Sequence, residues 1–148
     1  MESKLRTSTL FRRLKQSPDM TTFLRANEKS LSAAPFCEHI SAAARRRGEA
    51  PERIIARAGI ERSFGHQLFN GTRSPSRDKV VQLAFGFGMD PDEAQLLLRA
   101  AGKSALYPRI PRDAAIIFCL ERRVSVIEAQ SLLEELGMTL LGGGGSRE

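Results

Sequence analysis

The sequence predicts an all-α protein: a five-helix unit over residues 36–103, an N-terminal helical extension over 1–35, a C-terminal helical hairpin over 104–141 and a flexible tail over 142–148. Three observations lead there. Apolar residues recur at three- and four-residue spacings from Cys37 onward, whereas the β-branched runs that mark strands are scarce. Prolines stand where helices would start and glycines where they would stop. A hydrophobic fraction of 41% with only 6% aromatic residues and no Trp calls for an aliphatic core, the kind that helices interdigitate readily. The 148 residues suit one compact domain, or one with an appended lobe.

The elements follow in order. A short helix over 10–15 comes first. Ser17 as N-cap and Pro18 at the first helical position open a second, whose Met20, Phe23 and Leu24 have the spacing of packing residues. "SLSAAPF" at 30–36 reads as a linker. A helix over 38–47 ends in "RRRG", where cations meet the negative helix end and Gly48 stops the turn. The next runs from Pro51 to a stop at Gly59, and another covers 62–70. A fourth begins after Ser76 and closes at Gly88. The fifth has Asp90 as cap, Pro91 at its first position, Glu93 completing a capping box, and Gly102 as its end.

The C-terminal third repeats what precedes it. The stretch from Arg77, "RDKVVQLAFGFGMDPDEAQLLLRAAGKSAL", aligns without gaps on "RDAAIIFCLERRVSVIEAQSLLEELGMTLL" from Arg112, an offset of 35 residues. Arg-Asp, Glu-Ala-Gln, Leu-Leu and Gly recur at matched places, and Ser125 with Glu128 repeats the capping box of Asp90 with Glu93. A second hairpin shaped like the first is expected, from a shared ancestor or from convergent hairpin grammar. "PRIP" at 108–111 is the hinge between them, and "GGGGS" at 142–146 is a flexible tail.

Charge and composition narrow the function. The net charge of +6 is uneven: residues 1–35 carry seven Lys/Arg against three Asp/Glu, 36–103 eleven against eight, and 104–148 five against six. The first two thirds could attract a polyanion, while the last third could not rely on charge to do so. No segment approaches the roughly 20 apolar residues of a membrane span, and the N-terminus lacks the apolar core of a secretion signal. Cys37 and Cys119 are isolated, and two histidines make no zinc spacing, so no metal or cofactor is expected and a reducing cytoplasm fits. Cys119 lies in "AAIIFCL" as an inert interior residue. "FGFG" at 85–88 ends a helix and does not follow a strand, so it is no phosphate loop. Asp78 and Asp113 start helices; no nucleophile, base and oxyanion set is present, and an enzyme is not expected.

The informative stretch is "AGIERSFGHQLFNGTRSPSRDK", residues 58–79. A helix-turn-helix needs a tight turn, which Gly59 supplies, and apolar inner faces on both helices, which Ile54, Ala58, Ile60 and Leu68 supply. Over residues 51–90, "PERIIARAGIERSFGHQLFNGTRSPSRDKVVQLAFGFGMD" resembles, without a gap, the lambda-repressor-like, Cro/XRE-type helix-turn-helix family. "NGTRSPS" looks like that family's glycine, basic loop and Pro-Ser lead-in to the fourth helix, and "LAFGFGMD" like its closure. The resemblance covers under half of the chain and implies the five-helix DNA-binding fold.

Two departures stand out. Ile55 replaces a small residue and Gly65 replaces a bulky one; the two positions should face each other, so large and small have been exchanged at nearly constant volume. Glu61 occupies the N-cap of the 62–70 helix, where Ser, Thr or Asn serves better and where a carboxylate would repel phosphate. Carried over by position, the resemblance implies base reading by Arg62, Ser63, His66 and Gln67. Arg62 suits guanine and Gln67 can pair bidentately with adenine. Asn70, Thr72, Arg73 and Arg77 would hold phosphates, with Arg47 in "ARRR" either a phosphate clamp or only a cationic helix end. The alternative for the whole face is a solvated polar surface.

The expectation is therefore a sequence-specific double-stranded DNA-binding protein, a bacterial repressor or autoregulator, bound as a homodimer to an inverted repeat and nucleoid-associated when bound. The dimer surface would lie in the C-terminal hairpin, which carries more apolar surface than a short hairpin can hide. The rival is a non-enzymatic adaptor or antitoxin-like module that uses the same fold, through the hairpin or the N-terminal helices, to bind a protein. Nonspecific nucleoid or RNA binding is a third reading, marked by steep salt dependence without sequence preference.

Overall fold

The computed structural model describes residues 6–27 and 35–142. They fall into two units, one within residues 1–34 and one from Pro35 onward. Nine α-helices and no strand occur among the described residues. The protein is all-α there, and no described helix is long and apolar enough to cross a membrane.

The first unit holds α1 (Thr7–Gln16) and α2 (Met20–Ala26). Ser17 does not open α2 as its sequence position suggested. Its hydroxyl donates to the Arg13 carbonyl at 2.8 Å and closes α1. Asp19 takes the capping role instead, because its carboxylate accepts from both the N–H (2.8 Å) and the hydroxyl (3.1 Å) of Thr22. A two-oxygen acceptor one turn ahead of a threonine satisfies more orphan donors than a serine can. Most of the 30–36 linker lies outside the described residues.

The second unit contains α3 (Phe36–Arg47), α4 (Pro51–Ala58), α5 (Arg62–Asn70), α6 (Arg77–Phe87), α7 (Pro91–Ala100), α8 (Pro111–Glu121) and α9 (Val126–Glu135). Local chemistry sets these ends. Ser76 caps α6 through the Lys79 N–H, and Asp90 and Ser125 form complete capping boxes with Glu93 and Glu128 on α7 and α9. α6 is the central strut, with every residue from Val80 to Phe87 buried. α4 crosses it closely because residue 86 is glycine: a Cβ there would run into the Ile54 carbonyl and the Ala58 side chain.

Helices α8 and α9 are not an appendage with a core of their own. One continuous cluster of buried residues runs from Ile40 to Leu141, so the segments 36–103 and 104–141 share a single core. Ala115, Ile116, Cys119 and Leu120 of "AAIIFCL" are buried in it. The expected surplus of apolar surface on the hairpin is thus largely consumed within the chain; Phe118, Ile127 and Leu136 stay exposed. Burial also pushes the Cys119 thiol up, away from its reactive thiolate form.

The 35-residue repeat is carried in the hydrogen bonds. Arg77 forks onto Asp113 (3.1 and 2.8 Å) while Arg112 forks onto Asp78 (3.0 and 2.9 Å). Arg77 also donates to the carbonyls of Ser104 and Ala105, and Arg112 to those of Thr139 and Leu140. The Gln95 amide brackets Leu106 through its N–H and carbonyl, as the Gln130 amide brackets Leu141. Asp113 accepts from the Tyr107 N–H and Asp78 from the Gly142 N–H. Each helical hairpin therefore locks the other by an exchanged pair. The segment at 108–111 is correspondingly pinned, Ile110 N–H closing a turn on the Tyr107 carbonyl at 2.9 Å.

Candidate nucleic-acid interface

α4 and α5 are joined by the three residues Gly59, Ile60 and Glu61. Gly59 has φ +69°, in the left-handed region open to glycine, and its N–H closes α4 on the Ala56 carbonyl. The space there is also tight, since a Cβ would sit 3.1 Å from Cγ1 of Val126. Ile54, Ile55, Ala58, Ile60, Gly65 and Leu68 are all buried. Ile55 fills the space over Gly65: a Cβ on residue 65 would fall under 3 Å from three atoms of the Ile55 side chain. The large side chain at 55 thus packs directly over the position where residue 65 has none.

The turn is held from behind as well. The buried Gln82 amide donates to the carbonyls of Ala58 (3.1 Å) and Gly59 (3.3 Å), and Arg57 Nε donates to the Gly86 carbonyl at 2.9 Å. Neither buttress was apparent in the sequence; a glutamine inside the apolar run "VVQLAF" was the available signal. A buried amide needs partners, and a helix end is where unpaired carbonyls are found.

Glu61 caps α5 more fully than expected. Its two carboxylate oxygens accept from the N–H groups of Ser63 (2.9 Å) and Phe64 (3.0 Å). Those bonds hold its carboxyl below the ordinary glutamate value. The N-terminus of α5 therefore carries its own fixed anion.

Arg62 and Ser63 are exposed, and His66 and Gln67 half-buried, one turn further along. The spacings 62/66 and 63/67 put all four on one helix face. His66 Nε2 lies 3.9 Å from Glu52 Oε1. Beyond the helix, Asn70 Oδ1 accepts from the Thr72 N–H at 2.9 Å and shapes the loop. Arg73 folds back over α5: its N–H donates to the Gln67 carbonyl, its Nε donates to Gln67 Oε1 at 2.9 Å, and its guanidinium stacks 4.7 Å from the Phe64 ring. Lys79 Nζ lies 5.3 Å from that ring.

Two of the residues expected at phosphates, Arg77 and Arg47, are bonded to protein partners. Arg77 commits Nε and both Nη groups to the Ser104 and Ala105 carbonyls and to Asp113, so most of its fork is bonded within the protein. Arg47 donates to the Phe87 carbonyl at 2.8 Å and to Glu93 at 3.2 Å, with its guanidinium 5.5 Å from the Phe87 ring. It ties α3 to the end of α6. Of the expected set, the structure gathers Arg62, Ser63, His66, Gln67, Asn70, Thr72 and Arg73 on or beside α5, while Arg47 and Arg77 are bonded to other elements.

Comparison of the chain with protein-family models, curated proteins and solved structures finds no match.

Proposed function

We propose that the second unit is a sequence-specific double-stranded DNA-binding module, of the lambda-repressor-like, Cro/XRE kind, with α3–α7 as its five helices and α5 as the helix that enters the major groove. The observation that supports this best is the α4–turn–α5 arrangement itself. Two short helices share a buried inner face, a glycine turn leaves no side chain in the bend, and one side of the second helix presents Arg62, Ser63, His66 and Gln67. With Arg47 and Arg77 bonded to protein partners, the phosphate contacts nearest α5 are the Asn70 and Thr72 side chains, while Arg73 is held against Gln67. Regulation of transcription as a repressor or autoregulator, on an inverted repeat read by a homodimer, is part of the same proposal.

The test is selection of random duplexes by the full-length protein at near-physiological salt, with the Arg62→Ala/Gln67→Ala variant alongside. Enrichment of a palindrome by the wild type alone is the expected result. Equal enrichment by both proteins would remove α5 as the reader.

The exposure of Ile127 (74%) and Phe118 (48%) favours a second reading, in which the outward face of α8 and α9 docks a protein partner. Such an adaptor would keep its partner when Arg62 and Gln67 are changed, and would lose it on Ile127→Glu.

A further inference from the structure

We propose that Gln67 and Arg73 read one base together, and that the base is guanine. The inference rests on the DNA-binding reading above and deepens it at one position.

A free glutamine amide offers one acceptor and one donor edge, which matches adenine's N6 amino group and N7. Gln67 is not free. Arg73 Nε donates to its Oε1 at 2.9 Å, and the Arg73 N–H donates to its backbone carbonyl at 3.2 Å. A guanidinium has donors only, so the amide oxygen must face Arg73 and the amide nitrogen must face away. The guanidinium is itself held by the Phe64 ring at 4.7 Å, with Lys79 5.3 Å from the same ring. Phe64 is thus a positioning residue for Arg73, and Arg73 for Gln67.

The combined outward edge then consists of donors: the Gln67 amide N–H groups and the Nη N–H groups of Arg73. Guanine is the base whose major-groove edge shows two acceptors, N7 and O6. Adenine's N6 amino group would meet a guanidinium, donor against donor, beside an oxygen already engaged.

The experiment compares duplex selection by the full-length wild type, Gln67→Ala, Arg73→Met and Phe64→Leu. The base pair read by Gln67 is the one whose preference disappears in Gln67→Ala. Expected there is G in the wild type, discriminated from A by about tenfold or more, with loss of binding when that G is replaced by 7-deazaguanine. Arg73→Met keeps an unbranched chain against Phe64 but frees the amide, and should move the preference at this position from G to A. Phe64→Leu should weaken the preference without reversing it. Adenine at this position in the wild type would overturn the pairing. So would an Arg73→Met variant that weakens every sequence equally with a shallower salt dependence, the signature of a plain phosphate contact. No enriched site at all would remove the DNA reading and this pairing together, a result distinct from an enriched site carrying the wrong base.

Discussion

The hairpins α6–α7 and α8–α9 are built on the same polar frame and have been put to different use. Both start with an Arg-Asp pair, both carry a capping box on the second helix, and both use a glutamine to bracket the backbone of the segment that follows. Their surfaces diverge. α6 is buried from Val80 to Phe87 because α4 lies across it, whereas on α8 the places of Leu83 and Gly86 are taken by exposed Phe118 and Glu121. A shared hydrogen-bond frame fixes the hairpin shape; the small or large residue at one position decides whether another helix can lie on it.

That difference is most sharply tested at residue 86. Gly86→Ala places a methyl against the Ile54 carbonyl and Ala58, where backbone rather than a flexible side chain must move. The expected cost is about 3 kcal/mol or more, seen as a drop in the urea midpoint. The matched change, Glu121→Ala on exposed α8, should stay within about 0.5 kcal/mol. Similar losses at the two sites would mean that α4 packing does not distinguish the hairpins.

The frame itself is tested next. Asp113 is 3% exposed at its side chain and Asp78 15%, so Asp113→Ala removes the more buried carboxylate and takes the partner from both Arg77 and the Tyr107 N–H. Asp113→Ala should cost about 3 kcal/mol and Asp78→Ala less. The pH dependence follows from the same pairs. Burial alone would raise both carboxyls, but the bonds from Arg77 and the Tyr107 N–H to Asp113, and from Arg112 and the Gly142 N–H to Asp78, outweigh it. Both end below the ordinary value of 3.8. A depressed folded pKa gives stability that is fully present above the unfolded value and lost as pH falls through the folded one. The melting temperature should therefore hold from neutral pH to about pH 4 and fall below that. Asp78→Asn/Asp113→Asn should start lower at neutral pH and fall less in acid. An unchanged acid slope in that variant would show that other carboxylates drive the transition.

These pairs also explain where the sequence was readable. The bounds of α5 and α6 and both capping boxes could be read from it because caps are local, decided by side chains within three residues of the backbone they bind. The Ile55 and Gly65 pairing was legible through the resemblance to the helix-turn-helix family, which implies that the two positions face each other and should conserve their joint volume. The intramolecular bonds of Arg77 and Arg47 were not legible because their partners, Asp113 and Glu93, lie 36 and 46 residues away. A basic residue beside an exposed loop looks the same whether it faces solvent or folds inward. The signal for Arg77 was present in the repeat: opposite charges recurring at 77–78 and 112–113 are what an exchanged pair requires. The clasp of Arg73 on Gln67 had no counterpart in the pattern, since it depends on how the loop after Asn70 turns back.

The smallest contrast lies at the turn inside each hairpin. Gly88 ends α6 with φ +70°, and its counterpart Arg123 takes φ +54°, a left-handed conformation in a residue with a side chain. Gly88→Ala should cost about 1 kcal/mol, the ordinary penalty of that region. Arg123→Gly relieves the same penalty but removes the 2.7 Å hydrogen bond from Arg123 Nη1 to the Gly88 carbonyl, so the two effects oppose and the net change should lie within about 0.5 kcal/mol of zero. A stabilisation above 1 kcal/mol would mean that this bond contributes nothing and that Arg123 is only strained. A clear loss would show that the second hairpin holds the end of the first through this arginine as well as through the exchanged Arg-Asp pairs.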